Sequence, residues 1–197
     1  MCRNFPKLLT APAEAIAAAK KKASYGDALG TLIVDGIILS IAAALLLTAA
    51  GSLAGLGALL GQGLGMAVVS VFVAVFLGGL FFALVVKLVV STLGGKGTYV
   101  DALTACAYSL GAPAVGLLIM AILASVQVIG PIVGFIALSI SLALGIPTFY
   151  RAIKELFATD MVTALVAVGI ITMVVVTAFA VVMPMAGLGA AGLALSA

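Results

Sequence analysis

Asp35 and Lys87 are the two ionisable side chains of this 197-residue chain that fall inside long apolar runs. A charge held away from water is costly, so such a residue marks a pathway, a proton relay or a structural pair. The other polar groups in the apolar runs, Ser70, Ser109, Ser125, Ser139, Ser141, Thr163, Thr172 and Thr177, read as helix-packing hydroxyls. The sequence contains no histidine, which removes the commonest proton shuttle and metal ligand. Its two cysteines, Cys2 and Cys106, stand far apart and suggest neither a disulfide nor a metal site. No serine sits in a Gly-x-Ser-x-Gly setting, no glycine-rich loop ends in Lys-Ser or Lys-Thr, and no pair of aspartates lies within the apolar runs. The reading is therefore a protein that is not an enzyme, with no cofactor and no metal.

The elements that must position these residues follow from composition. The chain is 65% hydrophobic and 8% charged, far more apolar than a soluble domain, which is about half apolar and a quarter charged. The apolar runs are continuous and do not alternate with polar residues, so they predict helices rather than barrel strands. A run of about 20 apolar residues crosses the hydrocarbon core. That ruler predicts an all-α polytopic membrane bundle with five transmembrane helices, near 28–50, 66–92, 103–126, 129–150 and 161–184. A short amino-terminal surface helix precedes them within a segment 1–27, and an apolar tail, 185–197, follows. Ala112-Pro113 interrupts the third span and Gly130-Pro131 forms a very tight turn before the fourth, which suggests a closely packed hairpin. The glycine-rich stretch from Gly51 to Gly65 reads as a compact outer loop or re-entrant turn, and Gly78-Gly79 as points of close helix contact. Ala49-Ala50-Gly51-Ser52 has small residues like a signal-peptidase site, but the run before it is too long and begins too late, so it is expected to remain as an anchor.

All nine basic residues, Arg3, Lys7, Lys20, Lys21, Lys22, Lys87, Lys96, Arg151 and Lys154, fall on one side of a five-span layout. The connections on the other side carry no charge. The positive-inside rule then places the amino terminus in the cytoplasm and the carboxyl terminus outside. Pro12 and Glu14 suit the first turn of the short helix and Lys20-Lys21-Lys22 its last. Lying on the membrane, this helix would dip Leu8, Leu9 and Ile16 into the interface and present its lysines to anionic headgroups; a solvated helix that merely enforces topology is the alternative. A net charge of +3 spread over three segments does not form a nucleic-acid surface.

With the first helix entering at Ala28 and the second leaving at Thr92, a rise of 1.5 Å per residue puts Asp35 roughly 10 Å and Lys87 roughly 8 Å deep from the same face. The matched depths predict an ion pair, with snorkelling of Lys87 and a neutral Asp35 as the alternative.

The stretch Gly94-Gly95-Lys96-Gly97, followed by Ala102, Ala105, Ala107-Tyr108-Ser109 and Pro113, resembles the Yip-domain family of Ypt/Rab-interacting integral membrane proteins. Leu8-Leu9-Thr10-Ala11-Pro12-Ala13-Glu14-Ala15 is similar to the segment before the membrane in prokaryotic members. In physical terms Gly94 and Gly95 stop the second helix, Lys96 meets the headgroups, Tyr108 packs and hydrogen-bonds, and Pro113 kinks the third helix and frees a carbonyl. For eukaryotic relatives the resemblance implies membrane trafficking through GTPase partners. This sequence lacks the acidic, aromatic and Gly-Pro motif that precedes their first span, so that contact does not carry over. The expected function is a non-enzymatic protein of a prokaryotic cell membrane that organises the bilayer or recruits a cytoplasmic protein partner. The alternative is a small transporter, channel or lipid-moving protein, since helices broken at Pro113, Pro131 and Pro147 can line cavities.

Overall fold

The structure, a computed structural model, describes residues 11–21, 24–53, 57–124, 126 and 129–177. Those residues form six helices and no strand: α1 (Pro12–Lys21), α2 (Tyr25–Leu53), α3 (Gly57–Thr92), α4 (Tyr99–Leu123), α5 (Ile129–Leu156) and α6 (Met161–Thr177). Helices α2 to α5 are long and apolar enough to cross a membrane, and α6 is a shorter apolar helix. Their outer faces carry Ile, Leu, Val and Phe, such as Phe81, Phe135 and Ile146, more than half exposed. Only a lipid medium stabilises such a surface. The connections at one end carry Lys96 and Asp160, with Lys154 in the last turn of α5 beside them, and this is called the basic end below.

One expectation about helix extent and one about helix placement are corrected. Most of the Gly51 to Gly65 stretch is helical, since α2 runs to Leu53 and α3 starts at Gly57. A glycine in a helix costs about 1 kcal/mol relative to alanine, but an unsatisfied backbone group in an apolar medium costs more. The short helix α1 does not turn Ile16 toward lipid. Ala15, Ile16 and Ala19 are buried among residues of the protein core, and α1 packs on α5 and α4. Leu8 and Leu9, expected beside Ile16 in the interface, lie outside the described residues, as do Lys22, the fifth span beyond Thr177 and the tail from 185.

The hairpin of α4 and α5 is the most extensive helix pairing. Small residues bring the backbones together. A Cβ on Gly116 would collide with the Ser141 side chain, one on Gly134 would lie 3.0 Å from the Met120 Cα, and one on Gly145 would lie 2.9 Å from the Pro113 ring. Gly130 at the turn has the Leu123 carbonyl where a side chain would be. Pro113 cannot donate to the Ser109 carbonyl four residues back, and that freed carbonyl lies against Gly145, 3.1 Å from where its Cβ would stand.

Helices α2 and α3 set a second register. A Cβ on Gly79 would lie 2.7 Å from the Leu32 side chain, and one on Gly36 would lie 3.2 Å from Phe72. The adjacent Gly78 has nothing within 4 Å, so Gly79 alone serves close contact.

Candidate functional site

The basic end is built from two chain reversals of related construction. Helix α3 ends in a Schellman motif: Gly94 adopts φ +90°, its N–H donates to the Ser91 carbonyl at 3.1 Å, and the Gly95 N–H reaches the Val90 carbonyl at 2.9 Å. Thr98 then caps α4 through a reciprocal box in which the Thr98 N–H donates to Asp101 Oδ2 at 2.7 Å and the Asp101 N–H donates to Thr98 Oγ1 at 3.4 Å. Helix α5 also ends on a left-handed residue, closed by the longer-range of the two bonds alone. Ala158 adopts φ +50°, and the Thr159 N–H donates to the Lys154 carbonyl at 3.2 Å. Asp160 caps α6, accepting from the N–H groups of Val162 at 3.1 Å and Thr163 at 3.2 Å. Bonds from the Thr163 side chain, the Thr163 backbone and the Val162 backbone hold the Asp160 carboxyl below the usual carboxylate range.

The two reversals are joined. The Lys96 N–H donates to the Phe157 carbonyl at 3.0 Å, and the bare Cα of Gly97 sits against the fully buried Phe157 ring, where any side chain would collide. The Lys96 side chain projects outward, and those of Lys20, Arg151 and Lys154 are likewise exposed. None of the four forms an ion pair with another described residue. Lys21 ends α1, and Lys22 is outside the described residues.

The residues singled out in the sequence are therefore partly assembled. Gly94, Gly95 and Lys96 form one reversal, as their types predict. Tyr108 is buried in α4 and Pro113 lies within that helix, one turn and more beyond it, facing α5 and not the basic end. The second reversal, Phe157 to Asp160, escaped the sequence reading. Asp160 before an apolar run was a legible cap signal, whereas an alanine in the left-handed region gives no signal at all.

The expected Asp35–Lys87 pair is not formed. Asp35 is fully buried in α2 with neither carboxyl oxygen hydrogen-bonded, and Lys87 is half-buried on α3. The cause is helix register. Gly36 lies opposite Phe72 and Val75, which sets Asp35 level with about residue 75 of α3. Lys87 is then about a dozen residues, or roughly 18 Å, nearer the basic end. The prediction aligned Ala28 with Thr92; the helices are shifted by about ten residues from that alignment.

The model of the Yip1 domain matches residues 7–195. No curated protein and no solved structure matches the chain. A match over nearly the whole chain, on a bundle of apolar helices whose α3–α4 reversal carries Gly94-Gly95-Lys96, fixes the affiliation: this integral membrane protein belongs to the Yip1-domain family.

Proposed function

We propose that the protein is a non-enzymatic organiser of the bilayer that works through its basic end, which faces the cytoplasm. The observation that carries this reading is the bond from the Lys96 N–H to the Phe157 carbonyl. It ties together the two reversals, with Lys96 in one and Lys154 and Arg151 on the last turns of α5 leading into the other. Helix α1, which ends at Lys20 and Lys21, packs on α5 and α4. Cations without partners at this end suit anionic headgroups, each interaction being worth about 1 kcal/mol near a charged membrane. The same end suits an acidic face of a cytoplasmic protein. The orientation rests on the positive-inside rule. A cysteine placed at Gln62 is expected to react with a membrane-impermeant thiol reagent added outside, and cysteines at Lys96 or Lys154 are not; the opposite pattern reverses the topology.

A second reading, transport, draws support from Asp35, a buried carboxyl that no structural partner explains. Reconstitution of the purified protein in liposomes separates the two. The organiser reading expects changes in vesicle shape or clustering that weaken with Lys96→Gln and Arg151→Gln, without solute flux. Ion, solute or lipid flux that depends on Asp35 overturns it.

A further inference from the structure

We propose that a lateral groove between α5 and α6 binds one acyl chain of a membrane lipid. The groove has a volume of about 230 Å³. Its floor comes from Phe82, Ser109, Pro113 and Gly145, with Phe82 stacked on Phe149 at a centroid distance of 6.1 Å. Its rim carries the exposed side chains of Ile146 and Thr172. At Gly145 the floor is tight, since a Cβ there would lie 2.9 Å from the Pro113 ring and 3.1 Å from the freed Ser109 carbonyl.

Depth and chemistry decide the occupant. Pro113 lies fourteen residues into α4 and Thr172 eleven into α6, which places the groove roughly 16–21 Å from the basic end. That is the middle of a hydrocarbon core about 30 Å thick, where the surrounding medium is acyl chain. The lining contains two hydroxyls, and both are spent on their own helices. Ser109 Oγ donates to the Cys106 carbonyl and Thr172 Oγ1 to the Val168 carbonyl, each at 2.8 Å. A polar solute entering here would give up its hydration and find no unspent hydroxyl donor, whereas a hydrocarbon chain gives up nothing.

The chain contains no tryptophan, so one introduced indole is a unique reporter. The full-length Phe82→Trp protein is reconstituted in phosphatidylcholine vesicles whose acyl chains carry bromine near their middle, and its emission is compared with that in unbrominated vesicles. Phe157→Trp, at a fully buried position of the basic end, serves as the shielded reference. The expected result is strong quenching of Phe82→Trp and little of Phe157→Trp. Adding Thr172→Phe to Phe82→Trp, which fills the groove from its rim, should reduce the quenching toward the reference. Thr172→Val should leave it unchanged, because the hydroxyl takes no part. If Phe82→Trp does not elute as a monodisperse species, Val175→Trp on the α6 wall carries the same comparison. Quenching no greater than that of Phe157→Trp, or quenching insensitive to Thr172→Phe, overturns the proposal, and so does a loss with Thr172→Val equal to that with Thr172→Phe.

Discussion

The N–H of Lys96 meets the carbonyl of Phe157 across 3.0 Å, and this bond joins the end of the α3–α4 hairpin to the end of the α5–α6 hairpin. Each reversal is already closed by its own left-handed cap and its own side-chain cap. The bond between them holds the basic end together through a contact within the protein, whereas the outward-facing helix surfaces carry exposed apolar side chains.

The two left-handed caps differ in residue type, and stability should report the difference. An L-residue in the left-handed region costs about 1–2 kcal/mol, a cost glycine avoids. Ala158 at φ +50° bears it and Gly94 at φ +90° does not. Ala158→Gly is therefore expected to raise stability by about 1 kcal/mol and Gly94→Ala to lower it by a similar amount, since a Cβ at Gly94 meets nothing within 4 Å and the effect is purely one of backbone. Thermal unfolding in detergent, followed by the loss of helical circular dichroism, checks both. A stabilising Gly94→Ala would contradict the cap.

Glycines within the helices should divide by what a side chain would meet. Gly145→Ala drives a methyl into the Pro113 ring and the Ser109 carbonyl, neither of which can swing away, and should destabilise by about 1–3 kcal/mol. Gly78→Ala projects into open space and should be neutral or stabilise by up to about 1 kcal/mol through helix propensity. Equal losses at both positions would mean that Gly78 packs against something in the bilayer.

Asp160 gives the basic end a pH dependence. Its carboxyl is depressed in the folded protein by the Thr163 side-chain bond and the two backbone bonds. A depressed folded value contributes stability that is fully present above the unfolded value, about 3.9, and is lost as pH falls through the folded one. Unfolding followed between pH 6 and pH 2 should show a loss below about pH 4 that Asp160→Asn removes while retaining much of the cap. A wild type and an Asp160→Asn variant with parallel profiles would detach this carboxyl from stability.

What the sequence made legible was local. Continuous apolar runs specify helices whatever their partners, and Gly94-Gly95 after such a run specifies a stop, because both signals act within a few residues. Features that depend on how helices meet were not legible. Ile16 suits an interfacial helix as well as a docked one, and the docked state appears only when α5 and α4 supply a surface. The glycines from Gly51 to Gly65 favour a loop in water, yet an apolar medium changes that balance. The second cap at Ala158 is imposed by the return of α6 and by the bond to Lys96, against the local preference of alanine.

Register was the least legible feature, and Asp35 is where its consequences are sharpest. Matching depths by residue count placed Asp35 beside Lys87, whereas the contacts of Leu32 with Gly79 and Gly36 with Phe72 separate them by roughly 18 Å along the helices. No ion pair is then available to break. Lys87→Gln and Asp35→Asn should be additive within about 0.5 kcal/mol in a double-mutant cycle, as distant sites are. Asp35→Val should raise stability by about 1 kcal/mol or more, since it removes a fully buried carboxyl whose two oxygens have no hydrogen-bond partner. Unfolding of the four proteins of the cycle and of Asp35→Val in detergent decides the matter. A coupling energy well above 0.5 kcal/mol would restore the pair. A destabilising Asp35→Val would show that the carboxyl has a stabilising contact in the membrane, and the same variant, if stable, provides a background for the flux measurement on which the transport reading rests.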